Sequence, residues 1–591
     1  MNRRHAITAI AGFLIVTACW SATVAQPPRE PAIDSAMEED PALQLPPPTI
    51  VYTTGLKPLW LKALAGPEAD LQREVADMIA RAHRLGFTGM KQTAGPLINV
   101  LSTDKQRPAV RLAIARTLVV LDARSAATPL FELLDEEGLG FAQVVEPALA
   151  KWDYKPIRER WLACVNDIKS RRGLQQLAIR GLGQVRETNA VQPLWKLAEN
   201  RSAWASLRLD AAAALGRIQK SGLADRAKTF ATDKTPRAIV DRLIAGRLLS
   251  HHSDEPSRKL LLDLAVDRQP TVAAVALRRL LEIDSLLVIP ITAELLKSPD
   301  ANIRMLSARA LATHPVPLSV EQLGPMLNDP HPGVRQFACR TLFTFGSQPE
   351  LQPIVHKAAM QVLGQEGWRG QEQAAFLLGA LNHKPSAPRL VTLLDAPRHE
   401  SRIAAAWALR KLAIASTLPA MVARATRIAD KRKQTFDDKH DEQLVQLAQA
   451  FGQRKYQPAI DVLWRLIPKD SPFFVRERVA AIWALGHIDV GDRRSELVEM
   501  LKGRLSDVNP LFSEDGYVRA MSAISLGRMK ATAAMETLRK FYANEDRASA
   551  VGMACRWAIE RITGEKLPGP KPGKLHFGGW RLAPLASPTS E

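Results

Sequence analysis

Hydrophobic positions in this chain recur at helical spacing, and one short template returns along most of its length. In the stretch Leu207 to Ile218, an arginine, Arg208, precedes a leucine, Leu215, by seven residues, with small residues between. The same arrangement runs from Arg111 to Leu118, Arg304 to Leu311, Arg335 to Leu342, Arg402 to Leu409, Arg478 to Leu485 and Arg519 to Leu526. Copies without the arginine put Leu149, Leu182, Leu248, Leu280, Leu378, Phe451 and Ile559 at the register position, with Leu85 as the first. From Leu118 onward successive register positions stand 31 to 36 residues apart, except for steps of 42 and 41 ending at Phe451 and Leu526. Apolar residues at the register position and three, four and seven away from it share one helix face.

A period near 32 residues over fourteen or fifteen copies points to stacked helical hairpins. One such unit cannot bury its apolar face alone and must pack on its neighbours. Each unit opens with a short helix, often with a Pro-Leu start, as at Pro96-Leu97, Pro129-Leu130 and Pro193-Leu194. Proline suits a first helical turn, where its missing N–H has no partner to lose. A turn such as Asn328-Asp329-Pro330 follows, and then the longer alanine-rich helix that carries the template. Asn-Gly and Asp-Gly hairpin signals are rare.

The Val-Arg-x-x-Ala-x-x-Ala-Leu-Gly pattern resembles the HEAT family, in particular the short bacterial HEAT-like repeats first associated with phycobilisome lyases. The resemblance covers about residues 57–563. It implies an all-α fold, a right-handed α-solenoid of about 14–15 helical-hairpin repeats, with the second helices lining the concave side. It specifies function poorly, because such arrays serve unrelated roles.

The flanks differ from the array. Residues 1–25 read as an export signal: Arg3 and Arg4 precede an apolar stretch from about Ala6 to Ala18, and Thr23-Val24-Ala25 offers a peptidase site. Val16-Thr17-Ala18-Cys19 resembles a lipobox, so a lipoprotein signal ending before Cys19 stays open. The expected location is periplasmic or extracellular, with a membrane anchor only through Cys19. Residues 26–56 are proline-rich, carry five acids against Arg29, and read as a flexible linker. Residues 564–591 are Pro- and Gly-rich and read as a loosely docked tail. The two long steps mark candidate loops near residues 424–442 and 502–517. The four cysteines are far apart, with no CxxC pair, and imply no disulfide framework.

A formal net charge of +19 and a pI near 9.9 bear on partners rather than fold. They favour anionic partners, or reflect solvated faces of array helices. An exported protein is a poor candidate for binding nucleic acid, and the HEAT-like phycobilin lyases and DNA glycosylases act in the cytoplasm.

Two columns of residues stand out. In HEAT-like arrays the arginine seven before the register position pairs with acids or carbonyls between repeats. The resemblance therefore implies a structural ladder of Arg111, Arg208, Arg304, Arg335, Arg402, Arg478 and Arg519. The second column stands two residues before the register position, about 200° round the helix from it. It holds Arg116, Arg180, Arg278, Arg309 and Arg340, then Phe376, Trp407, Trp483 and Trp557. One reading is a concave ligand groove, basic in the middle and aromatic toward the C-terminal end, for a peptide or an anionic glycan. The other packs the tryptophans against adjacent repeats.

Other motifs are weaker. The run Arg424, Arg427, Lys431, Arg432 and Lys433, followed by Asp437, Asp438, Asp441 and Glu442, reads as a solvated mixed-charge loop. Asp507, Asn509, Glu514 and Asp515 do not fit a calcium loop, because Leu511 occupies its third ligand position. His399-Glu400 resembles the His-Glu pairs of the HEAT-like deoxyhypusine hydroxylases, which need several, and His251-His252 lacks helical ligand spacing. No Walker loop, HExxH or GxSxG motif occurs. The sequence therefore supports a non-catalytic protein-binding or scaffolding protein of the bacterial envelope, with no cofactor. Binding of an acidic glycan or lipid headgroup is the alternative, and an enzyme or metal protein has the least support.

Overall fold

The computed structural model describes residues 33–577, apart from 44, 53–55, 104–106, 168, 433–440 and 471–472. The proposed signal and Cys19 lie outside the described residues. Between Leu56 and Thr563 the described helices form fifteen consecutive pairs, many introduced by a single 3-10 turn. The second helices stack on one another, as Ala69–Arg84 does on Pro108–Val120 and Gly516–Arg528 on Ala550–Thr563. This continuous inner row is the all-α solenoid that the period requires. The prolines expected at helix starts stand in the first turns of Ala94–Leu101, Ala127–Glu132 and Val191–Glu199.

Every register residue from Leu118 to Ile559 is buried. The first copy is a correction: Leu85 follows its helix and is 48% exposed, whereas Ile79 is fully buried. The hydroxyl of Thr117 donates to Ala76 O at 2.7 Å, and that of Ser525 donates to Ile482 O at 2.9 Å. Both bonds join the residue before one register position to the residue three before the previous one, which sets Ile79 in register.

The inner helices also end alike. Asp122, Asp153, Arg186, Asn382, Ala413, Lys455 and Lys530 adopt positive φ, and all stand four residues after a register position. At six of them the next residue donates back to the register carbonyl, as Ala123 N does to Leu118 O at 3.0 Å and Ala531 N to Leu526 O at 3.0 Å. This left-handed cap satisfies carbonyls that the helix end leaves free, and turns the chain toward the next first helix.

The seven ladder arginines lie at the opposite end of the inner helices. Arg304 makes two 2.7 Å bonds to Asp329 of the next repeat, and also donates to Ser298 O and Pro299 O. Arg208 binds Asp241 and Ala198 O, Arg478 binds Glu514 and Ile467 O, and Arg519 binds Glu545 and Leu505 O. Arg111 reaches Glu136 and Glu137, while Arg335 and Arg402 cap the carbonyls of the turns before them. Six of the forks thus tie a helix start to carbonyls of the segment before it, and five, Arg111 among them, reach the next unit.

Three expectations need correction. Residues 424–432 belong to the helix Leu418–Arg432, because Met421, Ala425 and Ile428 keep helical spacing and are buried. Arg424 and Arg427 both bind Asp395 at 2.7 Å, and Arg432 is buried against Glu477 at 3.1 Å. Lys433, Asp437 and Asp438 lie outside the described residues. The second long step does hold a loop, residues 507–515, within which Glu514 is buried against Arg478. The N-terminal flank, expected to be a flexible linker, is docked. Its residues Thr49–Tyr52 form β1, paired in parallel with β2, Lys574–Phe577, in the register Thr49 to Lys574. The C-terminal flank is fastened too: Leu567 N donates to Glu560 Oε1 at 2.9 Å and Tyr542 Oη to Pro568 O at 3.0 Å.

Candidate peptide-binding groove

The second column divides as its residue types divide. Arg116, Arg180, Arg278, Arg309 and Arg340 are exposed. Arg180 reaches Asp210 of the next repeat at 3.1 Å. Near it, Arg180, Gln184, Asp210, Arg217 and Arg247 surround a cavity of about 620 Å³ that also touches Glu146.

The aromatic half is not an exposed surface, which corrects one of the two readings. Phe376, Trp407 and Trp483 are buried and Trp557 is half-buried. The cause is the small residue just after each register position. A Cβ built on Gly379 would meet the Trp407 ring at 2.8 Å, one on Gly452 the Trp483 ring at 2.7 Å, and one on Gly527 the Trp557 ring at 3.1 Å. Each indole lies over the glycine of the preceding inner helix. Phe376 meets Trp407 edge-on, with centroids 5.2 Å apart.

The indole edges have a separate role. Trp407 Nε1 donates to Asp34 Oδ1 at 2.8 Å, and Trp483 Nε1 donates to Asp40 O at 2.8 Å. Both acceptors belong to the N-terminal flank, which runs across this face as a short extended segment with one helical turn, Ala36–Glu39. Asp34 also takes a 2.8 Å bond from Lys411 Nζ and a bond from Arg410. Burial works to raise the Asp34 carboxyl, but the Lys411 bond and the charges of Arg410 and Lys411 outweigh it and hold it at about 2. Arg410 is oriented from behind by Gln446 Oε1, which accepts from its Nε at 2.8 Å.

At the other end, Arg528 Nη2 donates to Asp40 O at 2.8 Å and stands 2.9 Å from its carboxylate. His487 Nε2 lies 3.2 Å from Asp40 Oδ2. Burial first, then the Arg528 charge, push the His487 imidazole down to about 4 against the opposing pull of Asp40, so it is neutral near pH 7. Between the two aspartates, Met37 is buried among the C-terminal repeats, and its N–H donates to Gln449 Oε1 at 3.2 Å.

Gln449 occupies the same column as the tryptophans, two before Phe451, but its type gave no signal. Arg410, Lys411, His487 and Arg528 were missed as well. Lys411 and His487 stand four residues after Trp407 and Trp483, and Arg528 four after Ile524, on the same helix face. That repeated spacing, with two aspartates six apart in the flank, was the available signal.

His399 lies 3.3 Å from Glu400, which also binds Arg398. Among the described residues no group of three or more His, Cys, Asp or Glu side chains is placed to hold a metal ion, and no described helix is long and apolar enough to cross a membrane.

Comparison with known proteins agrees with this architecture. A family profile described as HEAT repeats matches residues 288–359. No curated protein matches the chain in sequence. Among solved structures, the Kap95:Nup1 complex is similar to this chain at 13% identity, covering 86% of this chain and 72% of that one with a TM-score of 0.51. Yeast importin-beta (Kap95p) is similar at 12% identity, covering 85% and 72%, with a TM-score of 0.49.

Proposed function

We propose that this HEAT-repeat α-solenoid is a non-catalytic scaffold that holds an extended segment of a protein partner along the inner helices of its C-terminal repeats. One observation carries the reading. Trp407, Arg410, Lys411, Gln449, Trp483 and Arg528 all aim donors or acceptors at a single path across four stacked helices. Pre-organised backbone and carboxylate recognition of this kind suits an extended chain. One similar solved solenoid is the Kap95:Nup1 complex; that likeness supports the architecture, and the binding role rests on the groove.

Affinity capture with the full chain and with an Arg410→Ala/Arg528→Ala variant, at low and high salt, tests the proposal. A discrete protein retained by the wild type at high salt and lost by the variant is expected. Equal retention by both chains would remove the groove from the account.

A second reading rests on the exposed arginines Arg116, Arg278 and Arg309 and the net charge of +19. In it, the middle of the array binds an acidic glycan or lipid headgroups. Such binding would fall steeply as salt rises, and would respond to Arg278→Glu/Arg309→Glu rather than to the C-terminal variant. The site of action we propose is the cell envelope, on the strength of the signal-like residues 1–25. Intact mass of the processed chain would distinguish a start at Gln26 from a lipidated Cys19.

A further inference from the structure

The segment in the groove belongs to the same chain, and its chemistry describes what the groove accepts. Two features of the packing bear on whether it is a permanent part of the fold. Its hydrogen-bonded aspartates stand at its ends, Asp34 at Trp407, Arg410 and Lys411 and Asp40 at Trp483 and Arg528, while between them Met37 N–H bonds Gln449 and Glu38 faces Arg476 at 3.7 Å. Its apolar anchor does not fill the space available. Beside Met37 and Leu43 a cavity of about 520 Å³ stays open, walled by Val479, Met521, Ile524 and Met553. Tyr517, 71% exposed, stands at its rim. The cleft opens to solvent at that rim, so apolar surface beside Met37 is left uncovered by the resident segment.

Charge points the same way. Arg410 is buried to 4% exposure with Asp34 beside it. With the segment in place that guanidinium is paired, and Arg528 faces Asp40 at the other end. The groove therefore matches a carboxylate at each end and leaves room for a larger apolar group between them.

Resting on the scaffold reading above, we propose that residues 34–40 are a built-in occupant of a docking site for an acidic partner segment. That segment carries an acid, an apolar residue three positions on, and a second acid three positions after that. A partner whose middle residue is bulkier than methionine fills the cavity and displaces the chain's own segment. The resident segment thus sets a threshold: apparent affinity for any partner is the intrinsic affinity reduced by the fraction of molecules with the groove vacated.

The test is fluorescence anisotropy with a labelled peptide of residues 33–43 carrying Met37→Phe. It is titrated with the wild-type full chain, an Asp34→Ala/Asp40→Ala chain, and an Arg410→Ala/Arg528→Ala chain. The expected result is binding to the aspartate variant at least about tenfold tighter than to wild type, with binding lost in the arginine variant. Equal affinity for wild type and the aspartate variant would overturn the idea of a resident competitor. No binding to the aspartate variant, with unchanged helical circular dichroism and faster hydrogen exchange at residues 33–43, would overturn the site itself. A Met37→Asp chain releases the segment by a second route and must behave like the aspartate variant. A captured partner that depends on Arg410 and Arg528 but binds wild type and released chains equally would leave the scaffold reading standing and remove this one.

Discussion

Trp407 donates its indole N–H to the carboxylate of Asp34, 2.8 Å away and 373 positions earlier in the chain. The same ring lies over Gly379 of the preceding inner helix. One side chain therefore joins two functions, packing one repeat on the next and reading the segment in the groove.

That relationship makes Asp34 the main polar anchor of the flank. Hydrogen bonds involving a charged group contribute roughly 1.5–3 kcal/mol, and Asp34→Asn would weaken the ionic contacts with Arg410 and Lys411. We expect hydrogen exchange at residues 33–43 to accelerate by about tenfold or more, with the array itself little changed. Unchanged exchange would show that Met37 alone holds the segment. Because the folded Asp34 carboxyl is held at about 2, below its ordinary 3.8, its contribution is complete above pH 4. It is lost only as pH falls through the range between those values.

The glycines under the tryptophans are tested by filling them. A Cβ at Gly452 would stand 2.7 Å from the Trp483 ring and 2.8 Å from Ala484 Cα. Backbone cannot withdraw as a flexible side chain can, so Gly452→Ala forces the two inner helices apart or tilts the ring. Overpacking of this kind costs about 1–3 kcal/mol. A lower melting temperature, with altered Trp fluorescence, is the expected outcome. A helix-stabilising effect, the usual result of Gly→Ala on an open helix face, would show that the contact is not tight.

The array was legible in the sequence because burial repeats it. Leu118, Leu311 and Leu526 take the same position in three separate hairpins, and each must meet the neighbouring unit. The ladder forks of Arg304 and Arg478 were legible for a similar reason, standing a fixed seven residues before the register leucine. Leu85 misled because its type fits the template while its helix has already ended. The direction in which Trp407 and Trp483 pack could not be read from their own helices, since Gly379 and Gly452 of the preceding repeats decide it. The flank at residues 26–56 has the acidic, proline-rich composition of a linker, and the order of its residues 33–43 comes from Met37 and from cations hundreds of residues away. Composition reports what a segment can bury by itself, and this segment is held by the array's interior.

The left-handed caps allow a stabilising prediction. Ala413 and Lys530 hold φ of 53° and 51° four residues after Leu409 and Leu526. That conformation brings Cβ close to backbone oxygen and costs an L-residue roughly 1–2 kcal/mol, a strain glycine escapes. Ala413→Gly/Lys530→Gly should raise the melting temperature by a few degrees if the two sites add. The net gain per site is about 0.5–1 kcal/mol once the greater freedom of glycine in the unfolded chain is counted. A fall in stability would mean that the Lys530 or Ala413 side chain contributes packing that outweighs the relief.

Glu146 gives the array one pH-dependent element of stability. It is buried in the inner helix Leu139–Lys151, where its Oε2 accepts from Trp161 Nε1 at 2.9 Å. Burial raises its carboxyl to about 7, against the opposing effect of the Trp161 bond. The folded state therefore binds a proton more tightly than the unfolded chain does. Stability from this group is complete below pH 4.5, its ordinary value, and falls as pH rises toward 7, by no more than about 3 kcal/mol. Glu146→Gln keeps an acceptor for Trp161 and removes the charge. We expect the variant to melt above the wild type at pH 8 and level with it at pH 4, measured by circular dichroism on the full chain. A variant that melts below the wild type at pH 8 would show that the carboxylate is stabilised by solvent or a cation entering the adjoining cavities, and that its burial carries no penalty.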